Sequence, residues 1–438
     1  MSFYAAAWEA ARAGAAGELP AWAARLRETA FEAFERQGLP TVDDEEWKYT
    51  SLAGVAREAF TLPTPHSTDR AADARAREFF YGESAGSRLV FVNGTFRHDL
   101  SSLEDVPEGI VVSDLRSALS GAHEPIVREH LGRVVAADAD ATAALNAAFL
   151  DSGAFVYLPP DAVLSAPLHF LFLGGDAREQ PLLCPRLLVV AERGSAATII
   201  ESYEAAAESP YFTNTVAEVF VGEGARVVHY KVQREGEAAY HIGATGARLA
   251  RGAAYDLTTI TLGARLSRHG INVMMPEEGA ECWVDGLYLT GAGQHADTHS
   301  TIDHIAPRCA SHQLYKGILD GKSRAVFNGK VFVRRDAQQT DARQTNKNLL
   351  LSPDARVDTK PQLEIFADDV KCSHGATVGQ LEEEELFYLR SRGLHDDLAR
   401  NLLTYGFAEE LVAKLKIDSI RAQLDEAILN RLHARLEA

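Results

Sequence analysis

The rhythm of apolar and polar positions changes twice along this chain. Up to about residue 60 the period is helical. Trp22, Leu26, Ala30 and Phe34 recur in steps of four, and Gly38-Leu39-Pro40 ends the run. Thr41 or Asp43 can cap a short helix after it, with acidic residues in its first turn. Residues 62–87 are polar, contain Pro63 and Pro65, and read as a linker. Arg88 to Phe96 predicts a strand with an Asn-Gly turn. Residues 124–150 return to helix, with Val127, Leu131, Val134 and Val135 on one face.

From Ala154 to about Val378 helical periodicity nearly vanishes. Short runs of Val, Ile, Leu, Tyr and Phe follow turns at Gly194-Ser195, Gly224-Ala225, Gly252-Ala253, Gly279-Ala280, Gly321-Lys322 and Pro353-Asp354. The turns are spaced by 30, 28, 27, 42 and 33 residues. A repeat of that size, built from strands and turns alone, predicts a solenoid whose stacked coils share an interior of alternate residues. Val227, His229 and Lys231 would lie on one side, and Val228, Tyr230 and Val232 on the other. A double-sheet jelly roll is the alternative. Past Gly379 helices resume. LEEEELFYLRSRG predicts a short one stopped by Gly393, and Asp396 or Asp397 can cap the next. In the last, Ile420, Leu424, Ile428, Leu432 and Leu436 repeat in unbroken steps of four. The chain therefore divides into an N-terminal helical region with a small β element (1–150), a β core (151–378) and a C-terminal helical domain (379–438).

Composition narrows the function. The 438 residues carry a net charge of −18, which disfavours a nucleic-acid partner or an anionic membrane surface. The apolar share of 46% suits a globular protein. No secretory leader opens the sequence and no window approaches a membrane span, so the expected setting is the cytoplasm. Cys184, Cys282, Cys309 and Cys372 form no Cys-x-x-Cys pair, which argues against a disulfide framework or a closed zinc site.

Familiar enzyme motifs fail on inspection. Gly321-Lys322-Ser323 resembles the end of a phosphate-binding loop, but the required upstream glycine is Lys316. Gly222-Glu223-Gly224 precedes a strand where a dinucleotide fingerprint needs a helix. A histidine-rich stretch, His295, His299, His304 and His312 with Asp297, Asp303 and Cys309, offers metal ligands, or simply a polar face. Cys372 and His374 make a sharper pair. Thiolate and imidazole both ligate iron, and two residues apart on a strand they point the same way. The competing reading is a packing cysteine beside an incidental histidine. A carbohydrate-active β-helix enzyme remains the functional alternative. It would need paired carboxylates; Asp297 and Asp303 are the candidates, expected on opposite strand faces.

The segments FNGK (Phe327–Lys330), QTDARQTNKNLLLS (Gln339–Ser352), PQLEIFADDVKCSHGATVG (Pro361–Gly379) and LFYLRSRG (Leu386–Gly393) occur in order. Together they resemble the SufB/SufD family of iron–sulfur cluster assembly proteins. DDEEWKYTSL (Asp43–Leu52) and FVNG (Phe91–Gly94) extend the likeness toward the N-terminus. Within the family the chain looks like the SufD branch: His374 is followed by Gly-Ala-Thr, where SufB typically has Glu-Ala-Thr, and a cysteine-rich N-terminal stretch is absent.

The resemblance implies a right-handed parallel β-helix between helical domains. It implies a non-catalytic scaffold that pairs with SufB, or with itself in isolation, and binds the ATPase SufC. His374 and, with less weight, Cys372 would help hold a nascent iron–sulfur cluster at the SufB contact. The C-terminal helices would meet SufC through Leu386, Phe387, Leu389, Leu402, Leu403 and Phe407. A reduced flavin is associated with such complexes, but this chain shows no flavin motif.

Overall fold

One row of turns organises the molecule. Asp161, Gly194, Gly224, Gly252, Gly279, Arg308 and Gln339 all have positive φ. The backbone N–H of each donates to a carbonyl in the turn one coil further on, from Asp161 to Arg193 through Gln339 to Asp369. Four of the seven are glycines, which adopt this conformation without a Cβ clash. The glycine spacing in the sequence marks those four. The next glycine turn in that spacing, at Gly321, belongs to a second row, because Arg308 and Gln339 carry no glycine to mark the turn; this is the origin of the 42-residue interval.

The computed structural model describes residues 2–14, 19–63, 70–175, 179–291 and 293–437. The N-terminal helices are α1 (Ser2–Gly14), α2 (Ala21–Gln37), α3 (Ala53–Arg57), α4 (Arg70–Glu78), α5 (Leu115–Ser120), α6 (Glu124–His130) and α7 (Ala141–Ala148). Between α4 and α5 lie β1 (Arg88–Val92), β2 (Thr95–Phe96) and β3 (Val111–Asp114). The early coils contain β4 (Ser152–Leu158), β5 (Leu168–Gly174), β6 (Leu182–Leu183), β7 (Pro185–Ala191), β8 (Ala196–Ala205) and β9 (Phe212–Val221). Then come β10 (Arg226–Arg234), β11 (Tyr240–Leu249), β12 (Ala254–Thr261), β13 (Leu266–Met275), β14 (Glu281–Thr290) and β15 (His295–His304). The last are β16 (Ala310–Leu319), β17 (Arg324–Val333), β18 (Thr340–Leu350), β19 (Arg356–Ile365) and β20 (Val370–Gly379). Helices α8 (Glu383–Ser391), α9 (Asp396–Val412) and α10 (Asp418–Glu437) close the chain.

The strands form two sheets that wind into a solenoid of about seven turns. One runs β2-β1-β5-β8-β10-β12-β14-β16-β18-β20, the other β19-β17-β15-β13-β11-β9-β7-β4-β3, with β6 beside β9. From β5 onward every neighbour within a sheet is parallel, as in β10 against β12 and β13 against β15. A jelly roll would make them antiparallel.

Alternation places Val227 in the coil interior and Val228, Tyr230 and Val232 on the outer face. That outer face is also buried, because Ile420, Leu424, Ile428 and Leu432 of α10 cover it. Each such side chain contributes about 1.5–3 kcal/mol on burial. The predicted Leu436 side chain lies outside the described residues. On the other sheet, Phe212, Tyr240, Ile242 and Leu266 are covered by α1, α2 and α7.

The central interior is polar. His241 Nδ1 lies 2.7 Å from Glu235, and its Nε2 3.1 Å from Lys231 Nζ. His229 and Glu201 are 2.6 Å apart. Burial pushes Lys231 down to about 8, against the pull of Glu201 and Glu235.

Four local expectations are corrected. Part of the expected linker is helix α4, whose Ala72 and Ala76 pack on Leu171 and Leu173. The helix expected over 124–150 is two helices. After α6, Gly132 turns the chain (φ +74). The Glu218 carboxylate then takes the N–H groups of Gly132, Val134 and Val135, and Asp140 caps α7. Near residue 43 it is Asp44 that accepts from the Thr41 N–H and precedes a 3-10 turn at Glu45–Trp47. Finally, α9 begins without a side-chain cap, because its Asp396 binds Arg400 and Arg390.

Candidate functional site

Cys372 and His374 lie on β20, which pairs with β18 alone. Their Cα partners on β18 are Ala342 and Gln344, both buried inside the coil. Cys372 and His374 therefore share a face, as the two-residue spacing predicts, and that face continues the coil interior. Among the described residues no further coil stacks on β20, so His374 is exposed at the open end. Cys372 is half-buried and packs with Val331, Val333, Ala337 and Ala342. Burial raises its thiol pKa, so in this chain alone it is a neutral thiol.

Gln344, beneath His374, was missed at the sequence level. Its Nε2 donates to Gln313 (2.8 Å), whose own Nε2 donates to Ser300 (2.8 Å). Its Oε1 is buried with no partner. The even spacing along β18 holds this information, but only once the strand's facing is known. The open end also exposes Ile365, Phe366 and Val378, with Phe366 on the ring of Phe332 at 5.4 Å.

The six candidate residues of the C-terminal helices separate into two groups. Leu386 is buried outright, and Phe407 packs half-buried on the helix-covered sheet, with Lys316 Nζ 4.2 Å over its ring. Phe407 holds the helices to the coil. Phe387 and Leu402 are exposed, while Leu389 and Leu403 are half-buried. Tyr388 and Leu398, absent from the sequence reading, join the exposed set.

The histidine stretch does not converge. His295 and His299 share a face, as expected, and are covered by the N-terminal segment. Thr50 meets His295 at 2.9 Å, and Glu46 meets His299 Nδ1 at 3.1 Å. His304 is inside the coil on Ser311 (2.8 Å), and His312 stacks on Trp283 at 5.8 Å. Cys309 Sγ lies 3.3 Å from the Glu277 carbonyl. Among the described residues no group of three or more His, Cys, Asp or Glu is arranged to hold a metal ion.

Asp297 and Asp303 lie six apart on the unbroken strand β15, so they share a face, contrary to expectation. Each has its own arginine, Arg268 for Asp297 and Arg334 for Asp303. Burial works to raise the Asp297 pKa, but Arg268 and bonds from His299 and Thr50 hold it well below the carboxylate range. Glycoside hydrolysis wants one carboxyl with a raised pKa, and Asp297, held low, does not supply it. The Gly222-Glu223-Gly224 turn leads into β10, so no strand-to-helix cradle for a flavin pyrophosphate forms there.

Two family models account for most of the chain. The SufBD protein N-terminal region matches residues 3–170, and the SufBD core domain of the SUF iron–sulfur cluster assembly system matches residues 173–407. An iron–sulfur cluster assembly SufBD family protein of Synechocystis is 39% identical over 401 residues, covering 89% of this chain and 87% of that protein. The iron–sulfur cluster assembly protein SufD of Escherichia coli is 32% identical over 403 residues, covering 91% and 90%. SufD of Bacillus subtilis is 27% identical over 421 residues, covering 93% and 94%.

Proposed function

Because this chain belongs to the SufBD family of SUF-system iron–sulfur cluster assembly proteins, we propose that it is the non-catalytic scaffold subunit of a cytoplasmic assembly complex. It pairs end to end with a second solenoid, SufB, and supports cluster assembly while the SufC ATPase supplies the nucleotide chemistry. The observation that carries this reading is the unpaired edge of β20, with His374 exposed on it beside the half-buried Cys372. A strand edge recruits another strand through backbone hydrogen bonds. In the pair, the imidazole of His374 and the thiolate of Cys372 would face the partner's end coil. Two side chains leave a cluster's coordination incomplete, so the partner supplies the rest. The cluster is cargo, and it is released to its acceptor. In isolation the same edge pairs with a second copy of this chain.

The exposed Phe387 and Leu402 offer SufC an apolar contact on the C-terminal helices. The reading is tested by anaerobic reconstitution of the complex with wild-type or His374→Ala chain at matched stoichiometry. The variant is expected to assemble with all subunits and to lose most of the cluster absorbance, with a smaller loss for Cys372→Ala. Full cluster yield from His374→Ala removes that ligand. Loss of a subunit makes its role structural.

A further inference from the structure

A cavity of about 400 Å3 lies at the opposite end of the coil, bounded by α1, α2, the β1–β2 turn and the start of β4. That is within the size range of small-molecule sites. Its wall includes a buried cation, Arg27, that makes no ion pair among the described residues. Arg27 is only 4% exposed. Of its five N–H groups, Nε donates to the Ala148 carbonyl (2.8 Å), and the guanidinium lies 5.5 Å from the Trp8 ring centre. No carboxylate lies within ion-pair distance of it among the described residues. The acid in the same wall, Asp151, is bound to Arg116 at 2.7 Å. A buried charge without an ion-pair partner is costly, and burial lowers the Arg27 pKa against the more distant pull of Asp151.

Two further residues of this wall each carry a polar atom without a partner. Asn93 donates its Nδ2 to the Gly175 carbonyl (3.2 Å), which leaves its Oδ1 buried and unpaired. Its backbone is held at φ +46 by the Asn-Gly turn. Ser152 Oγ is likewise buried and unpaired. A cation, a carbonyl acceptor and a hydroxyl on one cavity together match a ligand with an anionic group and hydroxyl donors.

We propose that this cavity binds a small hydroxylated organic anion, a carboxylate or a phosphate monoester, with the anionic group on Arg27 and a hydroxyl donating to Asn93. The site is independent of cluster assembly at β20. It is tested by calorimetric titration of the full chain with glycerate, glycerol 3-phosphate, inorganic phosphate and glycerol. Saturable one-site binding is expected for at least one of the two hydroxylated anions, and which of them binds identifies the anionic group. Inorganic phosphate should bind more weakly, since it cannot also reach Asn93, and glycerol should give no signal. Arg27→Gln should weaken binding by about tenfold or more. Ala10→Trp, from an exposed position of α1 at the cavity wall, should block binding with an unchanged melting temperature even if Arg27→Gln folds poorly. No saturable binding by the wild-type chain overturns the proposal. So does equal affinity in wild type and the folded variants.

Discussion

The two ends of the solenoid are finished in opposite ways. At the first coils, β1 accepts β2 as an antiparallel neighbour and β4 accepts β3. Helices α5, α6 and α7 then pack on the same end, and the chain between α6 and α7 is tied down by a charge pair. Arg186 and Glu218 are both essentially inaccessible, 2.7 Å apart, with Asn146 and the Val135 carbonyl completing the guanidinium's bonds. At the last coil, β19 and β20 each have one neighbour, and apolar Phe366 and Val378 reach solvent. An unprotected strand edge is an aggregation hazard that folds normally cover or charge. Leaving one end bare while closing the other with buried charge fits a coil whose last turn is completed by another chain.

The contrast predicts different penalties at the two ends. Glu218→Ala would strip five hydrogen bonds, from Arg186 (two), Gly132, Val134 and Val135, and leave Arg186 buried and unpaired. The expected loss is about 3–5 kcal/mol of stability, seen as a lowered denaturant midpoint. A midpoint unchanged from wild type would mean that the pair does not hold this end closed.

At the open end the order reverses: little stability is at stake and much association is. Val378→Lys combined with Phe366→Ser puts a charge on the edge and removes an apolar contact. Pairing should weaken by about tenfold or more, while the monomer melts as wild type. Sedimentation or light scattering across a dilution series checks this. A dimer as tight as wild type would move the contact away from β19 and β20. A smaller effect, about 1–2 kcal/mol, is expected on SufC affinity for Leu402→Ser. Phe407→Ser should instead lower stability, because Phe407 packs under Lys316.

How much of this was legible in the sequence differs between the ends. The solenoid announced itself through glycine turns, and the row faded where Arg308 and Gln339 take the left-handed conformation without glycine. Cys372 and His374 were legible as a pair because two residues along a strand always share a face. Their exposure is legible only from position, where the last β run gives way to the helices, since Val370–Gly379 otherwise reads like any other coil. The closed end was the least legible. Val134 and Val135 fit a helical face, and only the distant Glu218 carboxylate unwinds that stretch by taking its N–H groups. Likewise, Asp297 and His299 looked like metal ligands, because their partners Thr50, Glu46 and Arg268 are remote in sequence.

Two of those remote partners, Glu46 and Thr50, lie on one strap, and its pH dependence gives the smallest and most specific prediction. The segment from Glu45 to Thr50 crosses the outer face of the second sheet. Glu45 meets Lys360 on β19, Glu46 meets His299 on β15, and Trp47 lies under Arg268 at 3.9 Å. Burial works to lower the His299 pKa, and Arg268 adds to that, but hydrogen bonds to Asp297 and Glu46 win and raise it above its ordinary value. The folded value therefore exceeds the unfolded value of about 6.5. The stabilisation is fully present below the unfolded value and fades as pH rises through the folded one. His304, inside the coil, runs the other way: burial lowers it to about 4, so its contribution is lost as pH falls below about 6.5. Comparing wild type with His299→Gln cancels His304 and isolates the strap. The variant's stability deficit should be larger near pH 5.5 than near pH 8.5 in guanidinium titrations. A deficit independent of pH would mean that His299 acts as a neutral hydrogen-bonding group, and that the strap holds by Arg268 and Thr50 on Asp297 alone.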